Sequence, residues 1–304
     1  MPVSTRAPLF DSAFLAKLEQ LHLLARRIFR GERRAERRSR QTGASLEFAD
    51  YREYTPGDEP RSIDWNAYGR LERLFVKLHE QEQDLSVTFL VDCSASMRWL
   101  PEEKADALSK FDHARRLCAA LAYIALANLD RVDIHFFAAS SVGELGVARG
   151  KAQFHSVLKF LDAPPDADGP TRLRNAVQSL TQRARRRGLV FVLSDLFDPH
   201  GYEEPLSMLR HSQFDVHALQ ILAPEELAPT ATGDLSLNEI ETASAMDITA
   251  NEKLLRRYRE EITKFNEALE AFCLRRGIAF AQVTTDLPFE DVVLRALRDG
   301  VMIR

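Results

Sequence analysis

The sequence predicts a doubly wound α/β domain with a mostly parallel sheet, preceded by a small N-terminal subdomain of one helix and short β-strands. From about residue 85 onward, short and continuously apolar runs alternate with helical segments. Continuously apolar strands separated by helices are typical of a parallel sheet that is covered by helices on both faces. A chain of 304 residues is also long enough to bury one large core and a small additional domain.

The larger domain is expected to span residues 85–304. Its predicted strands are Ser86–Val91, Val132–Phe137, Gly188–Leu193, Val216–Leu222 and Ile278–Val283. Its predicted helices are Lys104–Leu129, Thr171–Arg186, Glu203–Arg210, Asn251–Arg275 and Phe289–Arg298. Residues Asp234 to Ile248 alternate weakly between polar and apolar, which predicts a hairpin inserted near residues 224–250.

The N-terminal subdomain is expected to span residues 1–84. Apolar residues at helical spacing predict a helix from Phe10 to about Arg40, and its segment 26–40 is strongly basic. This basic segment could contact acidic partners or anionic lipid, or it could be a solvated helix end; acidic residues at 32 and 36 favour the second interpretation. Short extended pieces follow, with a tight turn at Thr55–Asp58 and a strand at Leu74–His79.

Composition excludes several classes of protein. The net charge of −4 and pI near 6.1 argue against general nucleic-acid binding. The three cysteines are widely spaced, so neither a disulfide framework nor a cysteine-rich metal site is indicated, and a reducing compartment is favoured. There is no secretory signal pattern, and the longest apolar helical stretch, Leu117–Leu129, is too short to cross a bilayer. We therefore expect a cytoplasmic protein with no membrane span.

The most informative polar segment follows the first strand of the larger domain. Asp92, Ser94 and Ser96 place a carboxylate and two hydroxyls at alternating positions where this strand ends. Oxygen ligands of this kind suit Mg²⁺, with Mn²⁺ or Ca²⁺ as alternatives. Parallel α/β sheets bind ligands at the carboxyl ends of their strands, so the sequence predicts a metal site here.

Two further oxygen-bearing residues are expected at the same edge of the sheet. Thr171 opens a predicted helix, and Asp195 ends the apolar run that begins at Leu189. Each residue taken alone would more often be a helix cap or a turn residue. Their combination with Asp92, Ser94 and Ser96 favours a joint metal-binding site over coincidence.

Other candidate sites receive less support. His79, His113 and His135 are interpreted as surface or strand residues, and the chain has no HExxH, phosphate-binding glycine loop or GxSxG motif. Cys93 could be a reactive thiol. Its position between Asp92 and Ser94 favours instead a small buried residue that points toward the sheet.

Two stretches of the chain resemble known families. Asp92-x-Ser94-x-Ser96, Thr171 and Asp195 resemble the metal-ion-dependent adhesion site of von Willebrand factor A domains, which have a Rossmann-like fold. Residues Tyr51 to Trp65 resemble the signature of the bacterial "domain of unknown function 58" family, and this similarity extends over nearly the whole chain. The signature could be a binding surface with Arg52, Arg61 and Trp65 as anchors. Alternatively, Arg52, Asp58, Arg61 and Asp64 could form an internal ion-pair network with Trp65 packed in the core, and we favour this second interpretation.

The resemblance implies a function. Ser94, Ser96 and Thr171 would donate hydroxyl oxygens directly to the ion, with Asp92 and Asp195 acting largely through water. Such a site would capture an acidic side chain of a protein partner. Similar proteins are typically associated with MoxR-type AAA+ ATPases, which implies a non-enzymatic adaptor or chaperone-like role. Leu196 departs from the resemblance, because many A domains have glycine there.

An alternative is a metal-dependent phosphohydrolase that uses Asp92 as a nucleophile. Such an enzyme should have a second carboxylate close to the first and a lysine near the phosphate. Ser94 and Ser96 stand where the second carboxylate would be expected, so the sequence favours the binding module.

Overall fold

The structure is a computed structural model of the chain. It describes residues 8–36, 42–43, 47–55, 58, 63–71, 73–80, 85–100, 107–165, 171–184, 186–230, 233–238 and 245–298. Within these ranges the side chains of residues 26–52, 66, 70–71, 77–80, 234–238, 245–248 and 297–298 are not described. The side chains of the basic segment 26–40, those of Arg52 and Arg61, and the turn residues Pro56 and Gly57 therefore lie outside the described residues.

The described chain contains ten α-helices and eleven strands. The helices are α1 (Ser12–Glu36), α2 (Trp65–Leu71), α3 (Ala95–Arg98), α4 (Lys110–Ala127), α5 (Phe154–Asp162), α6 (Leu173–Arg183), α7 (Glu203–His211), α8 (Pro224–Leu227), α9 (Glu252–Arg276) and α10 (Phe289–Arg298). The strands are β1 (Thr42–Gly43), β2 (Glu47–Glu53), β3 (Phe75–Glu80), β4 (Ser86–Asp92), β5 (Arg131–Phe137), β6 (Ser141–Arg149), β7 (Leu189–Ser194), β8 (Asp215–Leu222), β9 (Gly233–Asn238), β10 (Ala245–Ala250) and β11 (Ala279–Thr284).

The central sheet has six strands in the order β11-β8-β7-β4-β5-β6. All neighbouring strands are parallel except β6, which runs antiparallel to β5 at one edge. The predicted α/β class with a mostly parallel sheet is therefore confirmed. The order also places β4 between β5 and β7, so Asp92 stands at the carboxyl end of a central strand.

Helices cover both faces of this sheet. On one face, buried side chains of α6, α7 and α9 pack with those of β4, β7 and β8 in a single hydrophobic cluster. On the other face, α4 packs on the same three strands and on β5, and α5 and α10 pack on α4. Because α4 is covered from both sides, 15 of its 18 residues are buried.

The structure corrects the predicted elements between residues 104 and 165. Helix α4 begins at Lys110 rather than Lys104, because Ser109 forms a capping box with Asp112. Strand β6 and helix α5 were not predicted. β6 is an edge strand whose residues are mostly half-buried or exposed, so it lacks the continuous apolar run of the central strands.

The chain divides into two compact units, residues Phe29–Asp84 and the remainder. The division differs from the expected boundary, because the chain up to Ile28 belongs to the larger unit. Packing of α1 on α10 explains this difference: the rings of Phe14 and Phe289 lie 4.7 Å apart, and Lys17 pairs with Glu290 at 2.5 Å. The first half of α1 therefore extends the larger core.

The smaller unit contains a three-stranded antiparallel sheet in the order β1-β3-β2. Ile63 bridges Val76 of β3, and both side chains are buried. Trp65 is 63% exposed and contacts the exposed Tyr68 edge-to-face. The interpretation that Trp65 is packed in the core is therefore wrong; within the described signature residues, Ile63 is the apolar residue that is buried beside β3.

In the larger unit, the weakly alternating segment forms the antiparallel hairpin β9–β10, which pairs Gly233 with Ala250 and Asn238 with Ala245. None of the described helices is long and apolar enough to cross a membrane.

Candidate metal-binding site

The carboxylate of Asp92 lies fully buried at the end of β4. Its Oδ1 accepts a hydrogen bond from the backbone N–H of Ser94 at 2.9 Å, and its Oδ2 accepts one from the hydroxyl of Ser194 at 2.6 Å. Ser194 is the last residue of β7, the parallel neighbour of β4. The strand register therefore holds the carboxylate in one orientation, with a donor on each oxygen.

Two serine hydroxyls connect the loop after β4 to a second carboxylate, that of Asp195. The hydroxyl of Ser96 donates to Oδ2 of Asp195 at 3.2 Å, and the hydroxyls of Ser94 and Ser96 lie 3.1 Å apart. Since the proton of Ser96 is directed to Asp195, its oxygen can accept from Ser94. This arrangement leaves lone pairs on both serine oxygens for a cation.

The electrostatics of Asp92 also favour a cation. Burial, and then the negative charge of Asp195, raise the pKa of Asp92 to about 7, although hydrogen bonds from Ser194 and Ser94 oppose the shift. Two carboxylates that share a buried site repel each other, and a metal ion removes this cost.

Thr171 reaches the same region through backbone contacts of the residues that follow it. Arg172 N–H donates to the carbonyl of Ala138, one residue beyond β5, at 2.9 Å. Leu173 N–H donates at 2.8 Å to Asp198, which follows Asp195 in the same loop. Thr171 itself is buried. The structure thus brings Asp92, Ser94, Ser96 and Asp195 together by direct hydrogen bonds and places Thr171 at the same sheet edge.

Two charged residues of the site were missed by the sequence analysis. The ammonium of Lys110 donates to Oδ2 of Asp195 at 2.8 Å and to Oε1 of Glu226 at 2.5 Å. Lys110 is only 1% exposed, and the side chain of Glu226 is 20% exposed. No signal for Lys110 was present in the sequence, because the predicted helix began at Lys104; only the capping box of Ser109 places Lys110 at the positive end of α4, where a cation is unfavourable.

The backbone of Leu196 adopts the conformation that glycine prefers. Its φ is +60°, and its N–H donates to the hydroxyl of Ser194 at 3.0 Å. The leucine side chain is buried in the hydrophobic cluster under α6, α7 and α9. The loop therefore keeps a left-handed backbone at this position although the residue is not glycine.

Cys93 is fully buried and points toward β5, where its thiol contacts the carbonyl of Phe137 at 3.2 Å. Burial, followed by the charge of Asp92, raises its pKa to about 12. A thiol at this pKa stays protonated at neutral pH, which is inconsistent with a reactive nucleophile. The interpretation of Cys93 as a small buried residue is confirmed.

These residues fit a hard divalent cation. Asp92 and Asp195 supply carboxylate oxygens, and Ser94 and Ser96 supply hydroxyl oxygens, which suits Mg²⁺ or Mn²⁺. Within the described part of the chain, no group of three or more His, Cys, Asp or Glu side chains could hold a metal. The candidate site is therefore one in which hydroxyls complement two carboxylates.

A family model described as "Protein of unknown function DUF58" matches residues 50–268, which is well over half of the chain. The chain belongs to the DUF58 family. The match includes the signature after Asp50, the Asp92 loop and the Asp195 loop.

Relatives of this DUF58 chain include uncharacterized proteins of Mycobacterium tuberculosis and Mycobacterium bovis, each 23% identical over 83% of this chain and 79% of the relative. Similar solved structures include the conserved hypothetical protein BatB from Bacteroides thetaiotaomicron (14% identity, TM-score 0.44, 72% of this chain and 99% of that chain). Another is an aerotolerance-related membrane protein from Bacteroides fragilis (14% identity, TM-score 0.46, 72% and 100%). Both TM-scores lie below 0.5, and no functional conclusion follows from them.

Proposed function

We propose that this protein is a non-enzymatic, divalent-metal-dependent binding module that captures an acidic side chain of a protein partner. The observation that carries the proposal is the hydrogen-bonded chain from Ser94 through Ser96 to Asp195, beside the buried carboxylate of Asp92. Neutral hydroxyl ligands leave residual positive charge on a bound cation. An incoming Asp or Glu would complete its coordination.

The partner that the resemblance suggests is a MoxR-type AAA+ ATPase or one of its clients, in the cytoplasm. Asp92, Ser94, Ser96, Thr171 and Asp195 form the metal site in this proposal, and Mg²⁺ is the expected ion. The bound metal would supply an electrophilic centre for the partner's carboxylate. The residues of the chain hold the hydroxyls in place and exclude bulk water from the two carboxylates.

Isothermal titration of the purified chain with MgCl₂ and MnCl₂ tests the metal site. We expect one binding site in the wild type and none in Asp92→Ala or in Ser94→Ala/Ser96→Ala. Ser156→Ala is a suitable control, because this serine is exposed on α5. A wild-type protein that shows no heat of binding with either metal would refute the proposal.

The capture of a carboxylate needs its own experiment. Binding to a purified MoxR-type ATPase should be abolished by EDTA, restored by Mg²⁺ and weakened in Ser94→Ala/Ser96→Ala. Association that persists unchanged in EDTA would show that the contact does not depend on metal.

One observation favours the alternative of a metal-dependent phosphohydrolase, because Lys110 supplies the lysine that such an enzyme requires. Two observations weigh against it: Lys110 is already paired with Asp195 and Glu226, and both oxygens of Asp92 accept hydrogen bonds in a fully buried position. Turnover of p-nitrophenyl phosphate that requires Mg²⁺ and disappears in Asp92→Asn would favour the enzyme.

A further inference from the structure

Lys110 combines an unfavourable location with complete burial. It stands at the first position of α4, where the partial positive charge of the helix N-terminus disfavours a cation. Its side chain is only 1% exposed. A buried lysine at such a position requires compensation by negative charges.

Two carboxylates compensate it. The ammonium lies 2.8 Å from Asp195 and 2.5 Å from Glu226, which reaches it from α8. The capping box of Ser109 and Asp112 fixes the first turn of α4, so the lysine stem starts from a defined backbone. The second oxygen of Glu226 accepts from the backbone N–H of Ala223 at 2.8 Å, which fixes the other end of the ion pair.

The ammonium changes what Asp195 can do. Oδ2 of Asp195 accepts from Lys110 and from the hydroxyl of Ser96, and Oδ1 accepts from the backbone N–H of Phe197 at 3.1 Å. A carboxylate that is neutralised by an ammonium and bonded on both oxygens is a weaker direct ligand for a second cation. With Asp92, Asp195 and Glu226 ionised, the ammonium of Lys110 reduces the summed charge of these groups from −3 to −2, so less negative charge surrounds a bound divalent ion.

We infer that Lys110 is a positioning residue of the metal site, an internal cation that lowers the site's affinity for metal by neutralising Asp195. Glu226 sets how much of the lysine's charge falls on Asp195. The bound ion then retains positive charge with which to attract a partner's carboxylate. This inference rests on the proposed metal-binding function and adds to it the residues that determine metal affinity.

Titration of the full chain with MgCl₂ and MnCl₂ tests the inference through two variants with opposite expected effects. Lys110→Met should bind metal about tenfold or more tightly, because a positive charge that repels the ion is removed. Glu226→Gln should bind metal about tenfold more weakly, because the lysine then pairs with Asp195 alone. A merely structural role of this ion pair would weaken metal binding in both variants.

Stability measurements separate this effect from unfolding. Lys110→Met leaves Asp195 and Glu226 buried without their cation, so its melting temperature in EDTA should fall even as its metal affinity rises. The double variant Lys110→Met/Glu226→Gln removes both charges of the pair and should recover part of that stability. If Lys110→Met does not fold, the metal affinity of Glu226→Gln still tests the inference.

Lys151→Met is the matched control for loss of a lysine charge. Lys151 is exposed and follows β6, whose last residue pairs with the first residue of β5. It therefore lies near the amino ends of the parallel strands, whereas the candidate site lies at their carboxyl ends. Its metal affinity should equal that of the wild type, since an exposed and distant charge is screened by salt.

The outcomes are distinguishable. A wild type that binds no metal overturns the proposed function and this inference together. A wild type that binds metal, with unchanged or weaker binding in folded Lys110→Met or unchanged or tighter binding in Glu226→Gln, overturns this inference alone.

Discussion

At the residue scale, Ser194 is the clearest case of a small side chain with two structural roles. Its hydroxyl donates to Asp92 at 2.6 Å and accepts from the backbone of Leu196 at 3.0 Å. It therefore connects the end of β7 to the end of β4 and shapes the loop that carries Asp195. The sequence alone did not predict these two hydrogen bonds, because Ser194 only ends a short apolar strand.

We expect Ser194→Ala to lower the free energy of unfolding by about 1–3 kcal/mol, because Asp92 loses a buried donor and Leu196 N–H loses its acceptor. Ser194→Thr retains the hydroxyl and should lose less. Urea unfolding at pH 7.5 in EDTA measures both variants. An alanine variant as stable as the wild type would contradict this role.

Leu196 offers a second test at this scale, because its backbone has positive φ while its side chain is buried. Truncation to alanine removes the buried side chain and keeps the backbone penalty, whereas glycine removes both. We expect both variants to be destabilised by about 2–4 kcal/mol, with Leu196→Gly more stable than Leu196→Ala by about 1 kcal/mol. Denaturation midpoints measure this order. An alanine variant more stable than the glycine variant would show that positive φ at residue 196 is not required.

At the scale of elements, the register of β4 and β7 depends on a close backbone approach at Gly188. A Cβ at this position would lie 2.2 Å from the carbonyl oxygen of Ser86. Gly188→Ala should therefore destabilise the protein by about 3 kcal/mol, since neither backbone can shift without disturbing the sheet. Gly146→Ala in β6 is the matched control, because its Cβ meets nothing within 4 Å and should cost less than about 1 kcal/mol.

Helix α4 contains a buried histidine, which corrects the interpretation of His113 as a surface or strand residue. Burial, and then the charge of Arg116, lower the pKa of His113 to about 4, against a small opposing effect of Asp286. As the pH falls, His113 of the unfolded chain binds a proton near pH 6.5, whereas His113 of the folded chain binds one only near pH 4. The stability contributed by neutral His113 is therefore complete above about pH 6.5 and is lost as the pH falls toward 4.

Between pH 7.5 and 4.5 this histidine should cost the wild type about 2.5 kcal/mol of unfolding free energy. His113→Gln cannot titrate and lacks this contribution, so the stability difference between the two proteins should shift by that amount in favour of the variant. Urea unfolding of both proteins in EDTA measures the shift. Parallel pH profiles would show that His113 is not responsible.

At the scale of the whole molecule, the candidate site draws its oxygens from loops after separate strands. Asp92 is the last residue of β4 and the two serines follow it, Asp195 follows β7, and Thr171 precedes α6. A cation that binds the folded arrangement and not the unfolded chain raises the apparent stability.

We therefore expect Mg²⁺ at about 100 times its dissociation constant to stabilise the wild type by about 2.7 kcal/mol, or several degrees in melting temperature. EDTA should reverse the increase, and Asp92→Asn should show none. A thermal scan of both proteins with and without metal provides the measurement. An equal increase in both proteins would point to non-specific ion effects.

The sequence by itself determined the fold class, five strands of the central sheet, and the loops that carry Asp92, Ser94, Ser96 and Asp195. These features follow from local patterns, because apolar runs and the polar residues that end them are continuous in the chain. Edge strand β6 and the exposed Trp65 were not predicted correctly. A strand of half-buried and exposed residues has no continuous apolar run, and a single tryptophan in a sequence does not show whether its side chain is buried.

Only the tertiary structure decided that Lys110 and Glu226 belong to the site. Lys110 is 85 residues from Asp195 and 116 residues from Glu226, and no local pattern links them. Long-range ion pairs depend on which helix packs over which strand end, and sheet order and helix placement set that arrangement. The sequence therefore identifies the oxygen-bearing residues of the candidate site, and the packing of α4 and α8 determines which charged side chains surround them.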